Sequence, residues 1–424
     1  MKKVIVIVLF FIILFVILIY SAVLSTNEKA STDILINVEN IETVNFKNVD
    51  SVHIAATTLY DANELKKLVQ GEHYRNVWAT PVKVPVVFLE DLEGGLEVVE
   101  KGGGKQTKSL KLKRKDGTMY TLRSIAKNPD PLIPGYARSL GLENVIIDGV
   151  SAQHPYGAIV VAHLAETLGI LHTNPKMVFV PKQELLEEFN KEYGNKLYWL
   201  EYETEGKTNW SDYDNVVEIL ETDDLQELKA EVGDKLFIDE NALVRARLLD
   251  IIVGDWDRHS KQWGWVIQKQ GDQLKAIVLP GDRDNAFFDI DGLIPSLISS
   301  KQIEVHLRPF ESDIDYLPGL IHAFDRYFLL KTSASIFIEE AKFIQKNLTD
   351  EKILQAISLW PKEIRDLDNN EIAAKIKSRR DDLHIYALEF KKVIDEQGPL
   401  KEPLEGSVDI KLPANLLKCF ECNL

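Results

Sequence analysis

Two short acidic loops in the second half of the sequence could bind metal ions and phosphate. The first covers residues 257–262 (Asp-Arg-His-Ser-Lys-Gln), and the second covers residues 281–287 (Gly-Asp-Arg-Asp-Asn-Ala-Phe). Carboxylates bind hard divalent cations through oxygen and leave coordination positions for phosphate and water. One carboxylate can instead accept a proton from an attacking hydroxyl group. The alternative is a pair of surface loops in which each Asp forms an ion pair with the Arg that follows it.

A predicted β-hairpin separates the two acidic loops. Its strands, Trp263–Gln268 and Leu274–Leu279, are joined across residues 271–272 (Gly-Asp), a dipeptide typical of a turn. An antiparallel pair of strands returns the chain close to its starting point. We therefore expect the carboxylates of Asp257 and Asp282 to face one cavity.

A glycine-rich segment in the first half of the chain joins strand 95–100 to strand 109–114 and could cover a phosphate. Glycines let backbone N–H groups approach a phosphate without interference from side chains. The residues predicted to contact phosphate here are Gly102, Gly103, Gly104, Lys105 and Thr107. The alternative for this segment is a plain flexible turn.

The order of the predicted elements indicates the architecture that must position these loops. Strands come first, with a tight Asp-Gly turn at residues 115–118 leading into strand 119–125. A helix over residues 156–169 follows, and residues 183–235 are predicted to be an acidic, helical insertion. The chain is mostly helical from residue 314 to residue 396. This order predicts an α+β protein with a small β-rich lobe and a larger helical lobe.

The two acidic loops resemble the catalytic and metal loops of atypical kinases. The shared pattern is Asp-Arg-His-x-x-Gln, a hairpin, and then Asp-x-x-x-x-Phe. Phosphoinositide 3-kinases, persistence-toxin kinases, spore-coat kinases and the secretory-pathway casein and Four-jointed kinases share that arrangement. The resemblance implies a two-lobed protein-kinase-like fold, ATP or another nucleoside triphosphate as cofactor, and Mg²⁺ or Mn²⁺.

The same resemblance assigns roles to the loop residues. The implied catalytic-loop residues are Asp257, Arg258 and His259, and the implied metal ligands are Asp282, Gln262 and Asp284. For His259 the alternatives are a structural hydrogen-bonding residue of the loop and a contact to phosphate or metal. Asp257 would act as the base or orient the acceptor. Asp282 would be the main metal ligand, because Phe287 stands five residues after it, and Gln262 would replace the more usual Asn.

The third strand of a kinase carries a cation that holds phosphates, and Arg123 stands at that position, where Lys is usual. Arg can still grip phosphate oxygens through its planar guanidinium. Lys127, four residues later, is a second candidate. The acidic partner of this cation should come from the start of helix 156–169, but no carboxylate is present there, so the partner is left unplaced.

Further stretches between about Tyr74 and Ala387 resemble bacterial envelope proteins in which a kinase-like module often follows a calcineurin-like phosphoesterase domain. These stretches include residues 73–82, 102–107, 154–156, 172–175, 254–259 and a helix from about Glu371 to Arg380. No phosphoesterase signature precedes the module in this chain.

An apolar run from Val4 to Leu24 follows Lys2 and Lys3. About 20 apolar residues span the roughly 30 Å hydrocarbon core of a bilayer. We expect an uncleaved anchor, with a cleaved signal peptide and a buried core helix as the alternatives. The two lysines should stay in the cytoplasm, so the remaining chain should be periplasmic or extracellular.

The predicted organisation therefore has five parts. They are an anchor or signal segment (1–25), a linker (26–51), a β-rich N-lobe with the Gly-rich loop (52–181), a helical C-lobe with the catalytic and metal loops (182–396) and a tail (397–424). Cys419 and Cys422 lie in the tail, where we expect a terminal disulfide or two free thiols.

Three functions fit these observations. The first is a metal-dependent kinase-like phosphotransferase whose hydroxyl acceptor could be protein, glycan or lipid. The second is a kinase-like module that binds a nucleotide or phosphate or acts as a scaffold, without turnover, and the third is a metal-dependent phosphohydrolase. A nucleic-acid partner is not expected, because the formal net charge is −16 and no basic block is present.

Overall fold

The computed structural model describes residues 2–24, 32–38, 40–103, 107–128 and 130–422. The first described element is helix α1 (Lys2–Leu24), and its stretch Lys2–Ala22 is long and apolar enough to cross a membrane. A signal sequence near an N-terminus can have the same length and apolar composition. After α1 come a β-rich lobe and a helical lobe, which confirms the predicted α+β fold class.

Twelve strands in the described residues form three sheets. They are β1 (Thr32–Leu35), β2 (Ser51–Thr57), β3 (Val82–Pro85), β4 (Leu96–Gly102), β5 (Ser109–Arg114), β6 (Met119–Ser124), β7 (Lys176–Val180), β8 (Lys196–Tyr202), β9 (Val216–Glu221), β10 (Leu236–Ile238), β11 (Trp263–Gln270) and β12 (Gln273–Pro280).

The α-helices of the described residues lie mostly in the second half of the chain. After α1 they are α2 (Glu64–Gln70), α3 (Arg75–Ala79), α4 (Gly135–Ser139), α5 (Glu143–Gly149), α6 (Gly157–Thr167), α7 (Asn190–Tyr193), α8 (Thr222–Val232), α9 (Glu240–Val253), α10 (Leu293–Ile298), α11 (Ala323–Leu329), α12 (Ala334–Asn347), α13 (Asp350–Ile357), α14 (Lys362–Asp381) and α15 (Leu383–Gln397).

A five-stranded antiparallel sheet, in the order β4-β5-β6-β8-β7, forms the main layer of the β-rich lobe. The turn between β5 and β6 forms at the predicted Asp-Gly dipeptide, where Gly117 has a φ of 96°. Strand β6 is central in the sheet, and Arg123 pairs with Ser109 on one side and with Trp199 on the other. The neighbouring strands therefore fix the backbone of Arg123.

A four-stranded sheet, in the order β10-β12-β11-β9, carries the two acidic loops in the helical lobe. The predicted hairpin is present, with Trp263 opposite Pro280 at its open end. The Gly281 N–H donates to the Gln262 carbonyl oxygen at 2.9 Å, so the two loops leave the sheet side by side. Helix α9 leads into the first loop and ends at Gly254, whose φ of 66° is the left-handed conformation that glycine adopts at little cost.

The observed sheets correct the predicted helical insertion, and they place strands inside two other predicted parts of the chain. Residues 183–235 are not a helical insertion, because β8 and β9 lie within them and join different sheets. The sheet of the β-rich lobe therefore continues past the predicted boundary at residue 181. The linker predicted for residues 26–51 is also partly structured, since β1 pairs with β2 in a three-stranded sheet with β3.

Candidate functional site

A cavity of about 310 Å³ lies between the five-stranded sheet and the hairpin that carries the acidic loops. Both lobes contribute polar groups to its wall. The predicted site residues in this wall are Gly102, Gly103, Thr107, Arg123, Gln262 and Asp282. The glycine segment, Arg123 of β6 and the second acidic loop are thus brought together. After their predicted roles, we call residues 257–262 the catalytic loop and residues 281–287 the metal loop. Gly104 and Lys105 lie outside the described residues.

Arg123 is held between one carboxylate from each lobe. Its Nη2 atom pairs with Glu201 on the adjacent strand β8, and its Nη1 atom lies 2.7 Å from Asp282 Oδ1. The Thr173 hydroxyl donates to the other oxygen of Glu201 at 2.7 Å. Burial lowers the pKa of a guanidinium, yet Asp282 and Glu201 raise the pKa of Arg123 well above its usual value. Arg123 thus has two carboxylate partners, Glu201 and Asp282, and neither comes from the start of helix 156–169.

Lys127 makes a second ion pair between the lobes. Its Nζ atom lies 2.9 Å from Asp284 Oδ2, and both side chains are mostly buried. Burial alone would raise the pKa of a carboxyl group, but Lys127 and Arg123 hold the pKa of Asp284 well below its ordinary range. The two predicted phosphate-binding cations thus meet the two carboxylates of the metal loop.

The backbone of the metal loop is strained at both ends. Asp282 has a φ of 45° and Phe287 has a φ of 61°, in the region that side chains with a Cβ rarely adopt. The Tyr74 hydroxyl donates to the Phe287 carbonyl oxygen at 2.6 Å, and the Phe287 N–H donates to the Val253 carbonyl oxygen at 2.8 Å. These buried contacts hold a conformation that is otherwise unfavourable, as is common where a loop must present a functional group.

Asp257 lies beside the cavity and is not part of its wall. Its Oδ2 atom faces Asn285 Nδ2 of the metal loop at 3.4 Å, and its Oδ1 atom is 3.7 Å from His259 Nε2. Burial raises the pKa of Asp257; the charge of His259 opposes this shift and that of Asp282 adds to it. We expected the carboxylates of Asp257 and Asp282 to face one cavity. Only Asp282 is part of the cavity wall.

His259 connects the catalytic loop to the cavity wall. Its Nδ1 atom accepts a hydrogen bond from the Lys261 N–H at 3.2 Å, which caps the short turn that follows. Its Nε2 atom is 3.3 Å from the side-chain nitrogen of Gln262, a residue of the wall. His259 thus contacts and orients the side chain of Gln262. Asn285, which contacts Asp257, links the two loops, and the sequence analysis did not predict this link.

Arg258, which the sequence analysis predicted as a catalytic-loop residue, is buried below the loops and is not part of the cavity wall. Its Nη1 atom donates to the carbonyl oxygens of Gly281 and Asp282 at 2.8 and 3.2 Å, and its Nε atom donates to Asp250 at 3.1 Å. The guanidinium lies over the ring of Trp263, 4.2 Å from the ring centroid. Arg258 is therefore a positioning residue that ties the backbone of the metal loop to α9.

Asp250 of α9 is the centre of a fully buried charge network. It pairs with Arg247 at 2.5 Å, with Arg258 at 3.1 Å and also with Arg283. Asp325 pairs with Arg247 at 2.6 Å, and Asp255 lies 3.4 Å from Arg283. Three aspartates thus lie among three arginines beneath the loops, and the ion pairs offset part of the cost of burial. Burial nevertheless raises the pKa of Asp255 to about 7.

The glycine positions in the cavity wall have no room for a side chain. A Cβ atom on Gly102 would lie 2.8 Å from the Ser109 hydroxyl oxygen, and one on Gly103 would lie 2.7 Å from the Thr107 carbonyl oxygen. Gly103 also has a φ of 115°. A side chain at position 103 would therefore collide with the backbone at Thr107, and one at position 102 would require the Ser109 hydroxyl to move.

Two side chains of the cavity wall, Asp282 and Gln262, have oxygen atoms of the kind that could bind a divalent cation. Asp282 Oδ1 is buried, and its neighbour is the Arg123 guanidinium, whose Nη1 atom lies 2.7 Å away. Among the described residues, no three His, Cys, Asp or Glu side chains converge as a metal-binding group. Mg²⁺ commonly takes only one or two carboxylates and completes its shell with phosphate and water. Asp282 and the amide oxygen of Gln262 could supply such a partial set of ligands.

Comparisons with known proteins give matches only among solved structures. No protein-family model matches the chain, and no curated protein matches it. The crystal structure of CtkA, a Helicobacter pylori proinflammatory kinase, is 12% identical, with 68% of this chain and 95% of that chain covered and a TM-score of 0.33. HipA, in a Shewanella oneidensis MR-1 toxin–antitoxin complex with HipB and operator DNA, is 12% identical, with coverages of 74% and 68% and a TM-score of 0.30.

A second, acidic cavity of about 200 Å³ lies behind the metal loop. Its wall includes His73, Tyr74, Asp289, Asp368, Glu371 and Lys375. Burial, with the nearby charges of Asp289 and Glu371, raises the pKa of Asp368 to about 7. His154 stacks on Trp360 with the ring centroids 4.4 Å apart, and its Nε2 atom is 3.8 Å from Asp368.

The raised pKa of Asp368 predicts a pH dependence of stability. The folded-state pKa of this carboxyl group lies above its unfolded-state value of about 3.9. Its protonated form therefore stabilises the folded protein, and this stabilisation is complete below about pH 3.9. This contribution is lost as the pH rises through about 7. Replacing Asp368 by asparagine should raise the free energy of unfolding at pH 8 by about 1–2 kcal/mol, a value below the full pKa difference because solvent reaches the carboxylate.

Denaturant unfolding at pH 5 and pH 8 measures this effect. Asp366→Asn is the matched control, because Asp366 lies on the same helix and is exposed. The control should change the free energy of unfolding by less than about 0.5 kcal/mol at either pH. An unchanged pH dependence in the Asp368→Asn variant would contradict the assignment.

Proposed function

We propose that the chain is a metal-dependent, kinase-like phosphotransferase that transfers the γ-phosphoryl group of ATP or another nucleoside triphosphate to a hydroxyl acceptor. One observation carries the proposal. Arg123 and Lys127, which come from the β-rich lobe, meet Asp282 and Asp284 of the metal loop beside a glycine-lined cavity. Phosphoryl transfer depends on such positioned charges much more than on covalent chemistry by the protein.

Each group in the cavity has a role in this proposal. The backbone of Gly102 and Gly103 would lie over the phosphates, and Arg123 would exchange Asp282 for phosphate oxygens when nucleotide binds. Glu201 would keep the guanidinium in place during this exchange. Asp282 and Gln262 would hold Mg²⁺ or Mn²⁺, with Asp284 as a further candidate; the ion, when bound, neutralises charge on the transferred group.

Asp257 would orient the acceptor hydroxyl or accept its proton. Its raised pKa supports this role, because a carboxylate that is easier to protonate is a better base. The acceptor could be a protein, a glycan or a lipid. Helix α1 and the resemblance to bacterial envelope proteins support an anchored protein with a cytoplasmic N-terminus and its lobes outside the cytoplasm.

A transfer assay on the full chain tests the proposal. The protein, reconstituted in lipid nanodiscs, is incubated with γ-labelled ATP and Mn²⁺ or Mg²⁺, alone and with fractions of cell envelope. We expect labelled product that requires the metal and is lost on adding a chelator. Label released only as inorganic phosphate would favour a phosphohydrolase instead.

A kinase-like binding module without turnover is the second candidate function. It is favoured by the ion pairs themselves, because Arg123 and Lys127 already neutralise Asp282 and Asp284 within the protein. A site of this kind can exchange its internal carboxylates for a phosphate without a metal ion. It predicts a thermal shift with nucleotide and neither transfer nor hydrolysis in the same preparation.

Glu201→Gln should weaken nucleotide binding with little effect on turnover at saturation. The variant keeps the shape and the acceptor for Thr173, but it removes the charge that holds Arg123. We expect the KM for nucleotide to rise about tenfold, the effect of losing about 1.4 kcal/mol of charge-assisted interaction. Asp116→Asn, at an exposed ion pair with Arg114 in the same sheet, is the control and should leave KM unchanged. If the wild type, Glu201→Gln and Asp116→Asn have equal KM values, Glu201 does not position Arg123 for nucleotide binding.

A further inference from the structure

The last two turns of α1 pack against the folded domain. Phe15, Leu18 and Ile19 are half-buried and Ala22 is fully buried, whereas the side chains of residues 2–14 are exposed. A spacing of three or four residues places these side chains on one face of a helix. That face contacts α2, and the Tyr20 hydroxyl donates to the Leu140 carbonyl oxygen at 2.8 Å.

The length of α1 fixes the depth at which this contact occurs. A helix of 23 residues is about 34 Å long, only slightly longer than the roughly 30 Å hydrocarbon core of a bilayer. The contact face starts at Phe15, about 10 Å before Ala22 along the helix axis. If α1 spans the membrane, the surface of the domain around α2 must therefore reach the headgroup region or the edge of the hydrocarbon core.

The domain surface at this place carries large apolar side chains that are exposed. We call it the apolar face and define it by Leu68, Tyr136, Leu140, Leu293 and Leu297, which are 69%, 70%, 54%, 44% and 52% exposed. Leu68 lies on α2, which contacts both α1 and α10. The other four form pairs spaced by four residues, one pair on α4 and its cap and one on α10, so each pair points to one side.

We propose that the apolar face lies in the outer interfacial layer of the same bilayer that α1 crosses. The proposal rests on α1 spanning the membrane and does not depend on any catalytic activity. A lipid surface is the occupant that the structure favours, because the face is continuous with the end of the membrane helix. Helices that lie in an interface bury their apolar side about 5–10 Å into the boundary between headgroups and acyl chains.

Quenching by brominated lipid tests the proposal on the full chain. Leu297→Cys and Tyr136→Cys are each labelled with an environment-sensitive fluorophore and reconstituted in phosphatidylethanolamine–phosphatidylglycerol vesicles with brominated acyl chains. Cys419 and Cys422 form a disulfide, so the introduced thiol can be labelled without reduction. Leu388→Cys on α15 is the matched control. Leu388 is 49% exposed, and α15 packs against α11 and α12 within the helical lobe.

Each result of this experiment supports or overturns the proposal. We expect at least roughly threefold greater quenching at positions 297 and 136 than at position 388, as for side chains at the depth of the acyl-chain boundary. Equal quenching at the three positions would overturn it. Energy transfer between copies labelled at position 297 that rises with the protein-to-lipid ratio, without quenching, would assign the apolar face to a second copy of the chain. Complete extraction of the protein from the vesicles by alkaline carbonate would also overturn it.

Discussion

Replacing Asp257 by asparagine should lower the kcat for nucleotide turnover by about 10³-fold while it leaves nucleotide affinity nearly unchanged. Asparagine has the same shape and can still accept the hydrogen bond from Asn285, so the two loops should keep their positions. It cannot take a proton from an acceptor hydroxyl. Asp257 lies outside the cavity wall that contains Arg123 and Asp282, so the loss should fall on kcat and not on KM.

Asp272→Asn is the matched control for this variant. Asp272 is exposed at the turn of the same hairpin whose open end carries both acidic loops. Its replacement should leave kcat and KM unchanged. Retention of most of the activity by Asp257→Asn would exclude a catalytic role for Asp257, and the acceptor would then have to be oriented by another group.

The pH dependence of kcat/KM provides a second measurement on Asp257. The carboxylate acts as a base only when it is ionised, so activity should fall as the pH falls through its pKa. Because burial raises that pKa, the acid limb should lie above the ordinary range of aspartate, near 3.9. The acid limb should be absent from the residual activity of Asp257→Asn.

Local sequence signals were sufficient for the parts of the site that lie on hairpins and helix ends. The Asp-Gly turn fixed the register of β5 and β6, and with it the central position of Arg123. The helix that ends at Gly254 and the hairpin of β11 and β12 placed the two acidic loops side by side. Turn chemistry and helix caps depend on a few neighbouring residues, so they can be predicted without knowing the rest of the fold.

Glu201 was missed because its strand has no polar face. In β8 the side chains of Tyr198 and Leu200 enter one hydrophobic cluster, while Leu197 and Trp199 enter another. A strand that is buried on both sides lacks the alternation of polar and apolar residues that identifies most strands. The acidic residues around it favoured a helical interpretation, and its pairing with β6 is a long-range contact that local patterns do not contain.

The inward position of the Arg258 side chain also could not be predicted from the sequence. Asp257, Arg258 and His259 are adjacent in a loop, where no regular period indicates which side chain faces the cavity and which faces the core. In the structure Arg258 turns inward to Asp250, a residue of α9 that the sequence did not single out. Its dense packing with Trp263 and the carbonyl oxygens of the metal loop comes from tertiary structure alone.

The same network predicts a large loss of stability when Asp250 is removed. Asp250→Ala should lower the free energy of unfolding by about 3–5 kcal/mol, because breaking a buried ion pair leaves an uncompensated charge. In this variant Arg247, Arg258 and Arg283 would share only Asp255 and Asp325. Denaturant unfolding of the full chain in detergent, followed by tryptophan fluorescence, measures the change. Asp366→Ala, the same substitution at an exposed position on α14, is the control and should cost less than about 0.5 kcal/mol.

A double variant separates the loss of a charge partner from a simple loss of packing. Asp250→Asn removes one negative charge from the network, and Arg283→Gln removes one of the positive charges that Asp250 balances. With both changes, two aspartates again face two arginines. The double variant should therefore lose less free energy of unfolding than the sum of the two single losses, by at least about 1 kcal/mol. If the single effects simply add, the buried charges are not coupled. Arg258 would then hold the metal loop through its hydrogen bonds to the Gly281 and Asp282 carbonyl oxygens alone.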